Sequence, residues 1–416
     1  MRNGKPFIIA APDSFKGSLS ASGAAKNIAA GVAAALPDAE IMTIPAADGG
    51  EGTVAALCGD CIRHLTVTGP NGAPVDAFYG VLPSGAYVIE MAAAAGLPLL
   101  GDTLEPLRST TYGVGELMLE ALRGDAKQIY LGLGGSATTD CGCGMAAALG
   151  VRFYNADGEP FVPTGETMRL VEHIDISGRE PLLDSVHISV MCDIENPLYG
   201  ENGAAYVYAP QKGADTAQQL YLDNGLRHMA DVILRDLGCD VSALPGGGAA
   251  GGCGAGVYAM LSGELTRGID AVLEAKQFAE NIGDADLVIS GEGRFDSQSI
   301  CGKVIDGIAR YTAPAGVPLA VLCGCDTEVR EAYDKGICAI FPIQRAVVPM
   351  QTAFENTADN LRRTAENVTR LFFAAKTKQS VFYKNPFIYA PTAKKRYDNI
   401  AADNAAKYIT RIEQDP

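Results

Sequence analysis

Short apolar runs alternate along this chain with longer amphipathic stretches, and that alternation restricts the fold more than any other feature. The runs are Phe7-Ile-Ile-Ala10, Ile41-Met-Thr-Ile44, Ala86-Tyr-Val-Ile89, Gln128-Ile-Tyr-Leu131, Ile188-Ser-Val-Met191, Leu287-Val-Ile-Ser290 and Leu319-Ala-Val-Leu322. Runs this short and this apolar suit strands covered on both faces, and such strands belong to parallel sheets joined through helices. Helices are expected at about 20–36, 113–123, 142–149, 217–237, 304–311 and 353–373. The predicted class is α/β with a mostly parallel sheet. At about 60–85 and again at 151–190, the turn sequences Gly69-Pro-Asn-Gly72 and Asn155-Ala-Asp-Gly158 mark hairpins of a second unit. The pattern alone leaves two arrangements open: consecutive domains, or an insertion in which the first 80 residues and those beyond 285 share one sheet.

A chain of 416 residues should form two or three domains. Its 33 basic and 49 acidic residues leave a net charge of −16, which disfavours nucleic acid and anionic lipid as partners and points to small molecules. An anionic substrate would need a locally positive cleft, so Lys16, Arg108, Lys212, Arg294 and Lys303 become informative. The first apolar stretch is too short for a signal-peptide core, and no run reaches the roughly 18 residues of a membrane span, so a cytoplasmic protein is expected. Eleven cysteines at irregular spacing read as reduced thiols, and the four histidines, far apart, fall in no catalytic motif. Beyond Lys376 the composition changes to a basic, aromatic-rich appendage. Tyr397, Ile400, Tyr408, Ile409 and Ile412 recur there at helical spacing, and a docking helix and disorder are equal readings.

Chemistry concentrates where strands end. The segment Ser290-Gly-Glu-Gly-Arg-Phe-Asp-Ser-Gln-Ser-Ile-Cys-Gly-Lys303 sets Glu292, Arg294, Asp296 and Lys303 in one glycine-flanked turn after a buried strand. Carboxylates there can hold magnesium or accept a proton, and the two cations can offset phosphate charge. The first strand ends in Ala11-Pro-Asp-Ser-Phe-Lys16, before a helix capped by Ser18 or Ser20 whose N-terminus attracts anions. Ala47-Asp-Gly-Gly-Glu-Gly-Thr53 supplies Asp48 and Glu51 among glycines that let a ligand approach the backbone. Gly132-Leu-Gly-Gly-Ser-Ala-Thr138 has the strand–glycine–helix order of a phosphate cradle, and Pro245–Gly256 is either a second such loop or a site of close backbone packing. Finally, the strand before Asp193 ends in that carboxylate, able to orient a hydroxyl or bind a cation.

Together, Ala11-Pro-Asp-Ser-Phe-Lys16, Ala47-Asp-Gly-Gly-Glu-Gly-Thr53, Gly134-Gly-Ser-Ala-Thr138, Cys192-Asp193 with Asn196-Pro-Leu198, Gln211-Lys-Gly213, and Gly291-Glu-Gly-Arg-Phe-Asp296 with Gly302-Lys303 resemble the bacterial type of the glycerate kinase family. The resemblance runs in order from about residue 6 to 375. It implies transfer of the γ-phosphoryl group of ATP to D-glycerate, with magnesium, on the 2-hydroxyl. It also implies two α/β domains around a cleft, a Rossmann-like one from 1–80 plus 285–376 and an inserted one from 81–284, with 377–416 as an appendage. Residue chemistry and resemblance agree on the site. Asp193 is expected as the base, with Asp296 its rival, and both as magnesium ligands; Arg294 and Lys303 are expected as catalytic cations. Asp13, Ser14, Lys16, Asp48 and Glu51 are expected at the substrate, and Gly134, Gly135, Ser136, Ala137, Thr138 and Glu292 at the nucleotide's phosphates. Departures from the family's usual wording are Ser299, where threonine is common, and Cys325-Asp326 after Gly324; neither removes a charged group. Cys141 and Cys143, beside the glycine loop, suggest sensitivity to oxidants. A kinase for another small hydroxy acid and a catalytically silent nucleotide or sugar-acid sensor are the alternatives.

Overall fold

The computed structural model describes residues 2 and 4–376, apart from 48, 102 and 328. The strands in chain order are β1 (Phe7–Ala10), β2 (Glu40–Thr43), β3 (Ile62–Thr68), β4 (Pro74–Val81), β5 (Tyr87–Glu90), β6 (Gln128–Gly132) and β7 (Arg152–Tyr154). They continue as β8 (Pro160–Phe161), β9 (His173–Asp175), β10 (His187–Met191), β11 (Glu264–Thr266), β12 (Leu287–Phe295), β13 (Leu319–Asp326) and β14 (Ile337–Pro342). Every apolar run named above is a strand. The helix expected at 20–36 spans Ala21–Ala35, where the Ser20 hydroxyl accepts the Gly23 N–H at 3.1 Å. The single helix expected at 353–373 is two, Met350–Glu355 and Thr357–Lys376, divided at Asn356, which caps the first at the edge of the helical region (φ −88°, ψ −1°).

Five parallel strands form the first sheet in the order β14-β13-β12-β1-β2. From β1 the chain steps outward to β2, and from β12 it steps the other way to β13 and β14, so the direction reverses between β1 and β12. Ligands of open parallel sheets bind outside the carboxyl ends at such a switch point. The second sheet has the order β11-β10-β6-β5-β4-β3, with β5, β6, β10 and β11 parallel and the β3–β4 hairpin antiparallel. All six of its strands lie in sequence between β2 and β12. The hairpin at 62–81, expected in a second unit, pairs here, with Tyr79 opposite Ile89. A small antiparallel sheet, β8-β7-β9, decorates this unit.

The strand period of two sorts the core. Ile8, Ala10, Leu287 and Ile289 face one way, onto Ile28 and Val32 of the first helix and Leu361 and Ala365 of the last. Phe7, Ile9, Val288 and Val321 face the other way, in a cluster that also takes in Val88, Tyr130 and Met191 of the second sheet. One apolar core thus joins the two sheets. Among the described residues no helix is long and apolar enough to cross a membrane.

The first and last helices approach through Gly31, where a Cβ would stand 2.1 Å from the Arg362 carbonyl oxygen and 2.9 Å from Ala365 Cβ. Gly31→Ala should therefore cost about 1–3 kcal/mol, since two helix backbones must separate to admit a methyl group. Gly283→Ala, with open space around the site and a φ of −62°, should stay within about 0.5 kcal/mol of the wild type. Urea unfolding of the two variants measures the contrast.

Candidate functional site

At the switch point the loop after β1 runs along the far end of β12. Ala11 N–H donates to Ile289 O at 2.9 Å, Asp13 N–H to Gly291 O at 2.8 Å, and the Ser290 hydroxyl to Ala11 O at 2.8 Å. A Cβ at Gly293 would come within 3.3 Å of Lys16 N. The charged segment expected as a turn is a continuation of β12, because β13 extends beside it and keeps its ladder, with Glu292 opposite Cys323 and Arg294 opposite Cys325. Glu292 and Arg294 therefore share one strand face. The turn begins at Asp296, whose carboxylate accepts the Gln298 N–H at 2.9 Å while its own N–H reaches the Ser299 hydroxyl at 3.0 Å.

This packing draws carboxylates together. Glu292 has a buried Oε1 that meets no hydrogen-bond partner. Burial raises its carboxyl to about 7, opposed by the Ser299 hydroxyl, aided by the negative charge of Asp13, lowered again by Lys303 and raised by Asp296. Asp13, Glu292, Asp296 and Lys303 thus form one electrostatic group. Arg294 Nε lies 3.7 Å from Asp296, and Lys303 Nζ donates to the Gln298 side chain at 2.9 Å. Lys16, Arg294 and Lys303 are exposed; Asp13 and Ser14 are half-buried, with Ser14 N–H on the Asp13 carboxylate at 2.5 Å.

Asp193 stands just past the end of β10, and its Oδ1 accepts the N–H of Gly268 at 2.8 Å, at the start of the helix Gly268–Ala275. The preceding residue, Arg267, links this end of the second sheet to the turn after β12: a Cβ on Gly302, beside Lys303, would lie 3.5 Å from the Arg267 guanidinium. Arg267 also pairs with Asp270 at 2.9 Å, Asp270 with Arg310 at 2.7 Å, and Asp306 accepts the Gly302 N–H at 3.1 Å. The carboxylate of one sheet and the cation of the other are thus held from a shared polar seam.

A second junction lies at the glycine loops. Gly134 N–H donates to Gly49 O at 2.9 Å, and a Cβ at Gly132 would meet that same oxygen at 2.3 Å. Glu51 is exposed beside it, and Asp48 lies outside the described residues. Sequence reasoning passed over Glu90, fully buried at the end of β5, whose two oxygens receive Gly52 N–H at 3.2 Å and Val54 N–H at 2.5 Å and fix this loop. The signal was a carboxylate closing an apolar run. Of the expected phosphate cradle, Gly135 is exposed and Gly134 half-exposed, whereas Ser136, Ala137 and Thr138 are buried, with Ala137 N–H already donated to Ala95 O at 2.8 Å. The cradle presents Gly134 and Gly135 to solvent.

Pro245–Gly256 takes the packing role: it includes a kinked helix, Ala249–Leu261, in which Cβ atoms at Gly251 and Gly256 would fall 2.1 Å and 2.0 Å from the carbonyls of Thr138 and Cys141. Cys141 and Cys143 are fully buried, and burial pushes Cys141 to about 12 and Cys143 well above the usual thiol range. Oxidation proceeds through exposed thiolates, so these two are poor targets and the expected oxidant sensitivity has no structural basis in them. The histidines pair at the surface, His64 with Asp76 and His173 with Asp236, away from the strand ends described here.

The donor set suits a divalent cation of the magnesium kind. The unpartnered Glu292 oxygen and its like-charged neighbours Asp13 and Asp296 would be relieved by a positive ion. Among the described residues no three His, Cys, Asp or Glu side chains converge as a ready cage. Magnesium needs none, since it is held by one or two carboxylates together with phosphate oxygens and water.

Residues 8–373 match the model of the Glycerate kinase family. The chain is 44% identical over 367 residues to glycerate 2-kinase of Escherichia coli (strain K12), covering 87% of this chain and 96% of that protein. It is 44% identical over 377 residues to glycerate kinase of Bacillus subtilis (strain 168), covering 89% and 98%. The crystal structure of a putative glycerate kinase 2 from Salmonella typhimurium LT2 superposes with a TM-score of 0.79 at 42% identity, over 89% of this chain and 99% of that one. The chain belongs to the glycerate kinase family.

Proposed function

We propose that this protein transfers the γ-phosphoryl group of ATP to D-glycerate, forming 2-phosphoglycerate. Two α/β units, one on each large sheet, would enclose the site between the carboxyl ends of β1, β12, β6 and β10. The observation that carries this reading is the carboxylate group Asp13–Glu292–Asp296 with Lys303 at the switch point, a place where phosphoryl transfer needs both anions to hold a metal and cations to offset charge. The 2-hydroxyl as acceptor rests on the Escherichia coli relative's name.

Glu292 and Asp296 are the residues that would hold magnesium, which supplies charge neutralisation on the phosphoryl oxygens. Asp193, at the carboxyl end of β10 with its Oδ1 accepting the Gly268 N–H, would orient the substrate hydroxyl and accept its proton. Lys303, Arg294 and Lys16, all exposed around the carboxylates, would neutralise the transferring group and hold the substrate carboxylate, with Asp13, Ser14 and Glu51 shaping the substrate's side. Asp48 is assigned there from sequence alone. Gly135 would receive a nucleotide phosphate on its backbone, with Gly134 beside it tied to Gly49 O by its own N–H and Ser136, Ala137 and Thr138 holding the turn in place.

A coupled assay of ADP release with ATP, magnesium and D-glycerate, with NMR of the product, tests the reading. Turnover that depends on glycerate and yields phosphate on O2 is expected, and Asp193→Asn should lower kcat by roughly 10²- to 10⁴-fold with ATP still bound. Turnover with a different hydroxy acid and none with glycerate would replace the substrate assignment.

Glu292 yields a second expectation. Its folded pKa of about 7 stands above the ordinary 4.5, so the stability its proton provides is complete below pH 4.5 and is lost as the pH rises to about 7. Glu292→Gln should therefore melt at a higher temperature than the wild type in EDTA, by a margin that opens between those pH values and then stays constant. Its kcat/KM should nonetheless fall at least about a hundredfold. Thermal melts across pH and steady-state kinetics check both halves.

A further inference from the structure

Lys212 is buried, 2% exposed, behind the glycine loop, and belongs to neither strand end that carries the carboxylates. Its Nζ donates to the Ser136 hydroxyl at 2.9 Å and to the Thr138 carbonyl at 2.6 Å. Both acceptors are neutral. The charged and titratable groups facing it are Asp140, from the turn after β6, and Cys253, from the kinked helix Ala249–Leu261. The Asp140 carboxylate is engaged elsewhere, accepting from Thr111 N–H and hydroxyl, each at 2.8 Å, and from Gly142 and Gly144 N–H at 3.1 Å and 3.3 Å.

A buried ammonium is an expensive way to brace a loop, since an apolar side chain of similar length would fill the same space without desolvating a charge. The surroundings do not satisfy their own polar groups either: the Thr138 and Thr139 hydroxyls are buried and unpartnered beside it. What the cation adds is a positive charge in a dry environment directly beneath the exposed turn at Gly134–Gly135, together with two hydrogen bonds that set that turn's shape.

We propose that Lys212 is a positioning residue for phosphoryl transfer: through Ser136 and Thr138 it holds the Gly134–Gly135 turn in the form that receives a nucleotide phosphate, and its charge favours that anion. The proposal rests on the reading of this turn as the phosphate cradle. Burial lowers the Lys212 ammonium to about 8, held up in part by Cys253 and Asp140, so the charge is present at neutral pH and declines above pH 8.

The experiment compares wild type, Lys212→Met and Lys212→Gln in kcat, KM for ATP and calorimetric affinity for ADP from pH 6.5 to 9.5, with melting temperature and circular dichroism recorded for each. In the wild type, ADP affinity and kcat/KM for ATP should fall above about pH 8. In folded Lys212→Met, kcat/KM for ATP should drop about a hundredfold, the cost of a loop misplaced by about 1 Å, and the alkaline limb should vanish. Lys212→Gln, which keeps a donor without the charge, should recover part of kcat but not the limb. Variants that melt earlier yet keep wild-type kcat, KM and pH profile would make Lys212 merely structural and overturn the proposal. If neither variant folds, a wild-type ADP affinity flat from pH 7 to 9 overturns it equally. Gly135→Val tests the underlying reading separately: this exposed glycine has a φ of +74°, and unchanged ADP affinity there would remove the cradle itself.

Discussion

The site depends on a contact between two backbones. Gly49, in the loop that leaves the first sheet, lies against Gly132 and Gly134 at the end of β6, close enough that Gly49 O accepts the Gly134 N–H at 2.9 Å and would collide with a side chain on Gly132. Met191, at the end of β10, closes on it from the other side, 2.7 Å from where a Gly49 Cβ would be. The loop after β2 and the ends of β6 and β10 therefore meet through main chain and the Met191 Cβ. Asp13 and Glu292 stand at the carboxyl end of one sheet and Asp193 at that of the other, and at this contact the spacing between the sheets is set largely by main chain, which has no rotamers to vary.

Electrostatics at the switch point runs against stability. The chain carries 16 more negative than positive charges, and it still buries Glu292 beside Asp13 and Asp296, where burial first and the neighbouring charges second raise its carboxyl to about 7. A sequence selected for stability alone would place an apolar residue at Glu292, on a strand whose other positions, Leu287 to Ile289 and Phe295, are buried and apolar. Conflict between a local choice and the surrounding core is the mark of a position retained for function.

The strands, the first helix with its Ser20 cap, the loop at 11–16 and the turn at 296–303 were legible because each is a local pattern: an apolar run, a hydroxyl before a helix, a cluster of charges among glycines. What was hidden depends on long-range partners. The continuation of β12 through Glu292 and Arg294 follows from the length of β13, which lies more than twenty residues downstream. The hairpin at 62–81 finds its sheet only because β5 offers a free edge to Tyr79 and Gly80. Glu90 and Asp140 look like ordinary acids in sequence, yet each is fully buried as an acceptor for backbone N–H groups, a role set entirely by which loops fold over it. The glycines of 245–256 were ambiguous for a related reason: a glycine that admits a ligand and one that admits a neighbouring backbone read alike until the neighbour is known.

The buried polar groups then divide into two kinds. Glu90 receives the Gly52 and Val54 N–H groups, and Asp140 receives the Thr111, Gly142 and Gly144 N–H groups, the Thr111 hydroxyl and, at 4.0 Å, the Cys253 thiol; such carboxylates act as fixed struts for the loops that donate to them. Glu292, by contrast, has an oxygen without a partner, and the Thr138 and Thr139 hydroxyls share that condition. These three orphaned atoms lie at two places, the carboxylate group at the switch point and the loop that follows Gly135. In the proposed reaction a bound phosphate and its counter-ion would complete the hydrogen bonding of these atoms, which would tie the energy of binding to the groups that act on the reacting atoms.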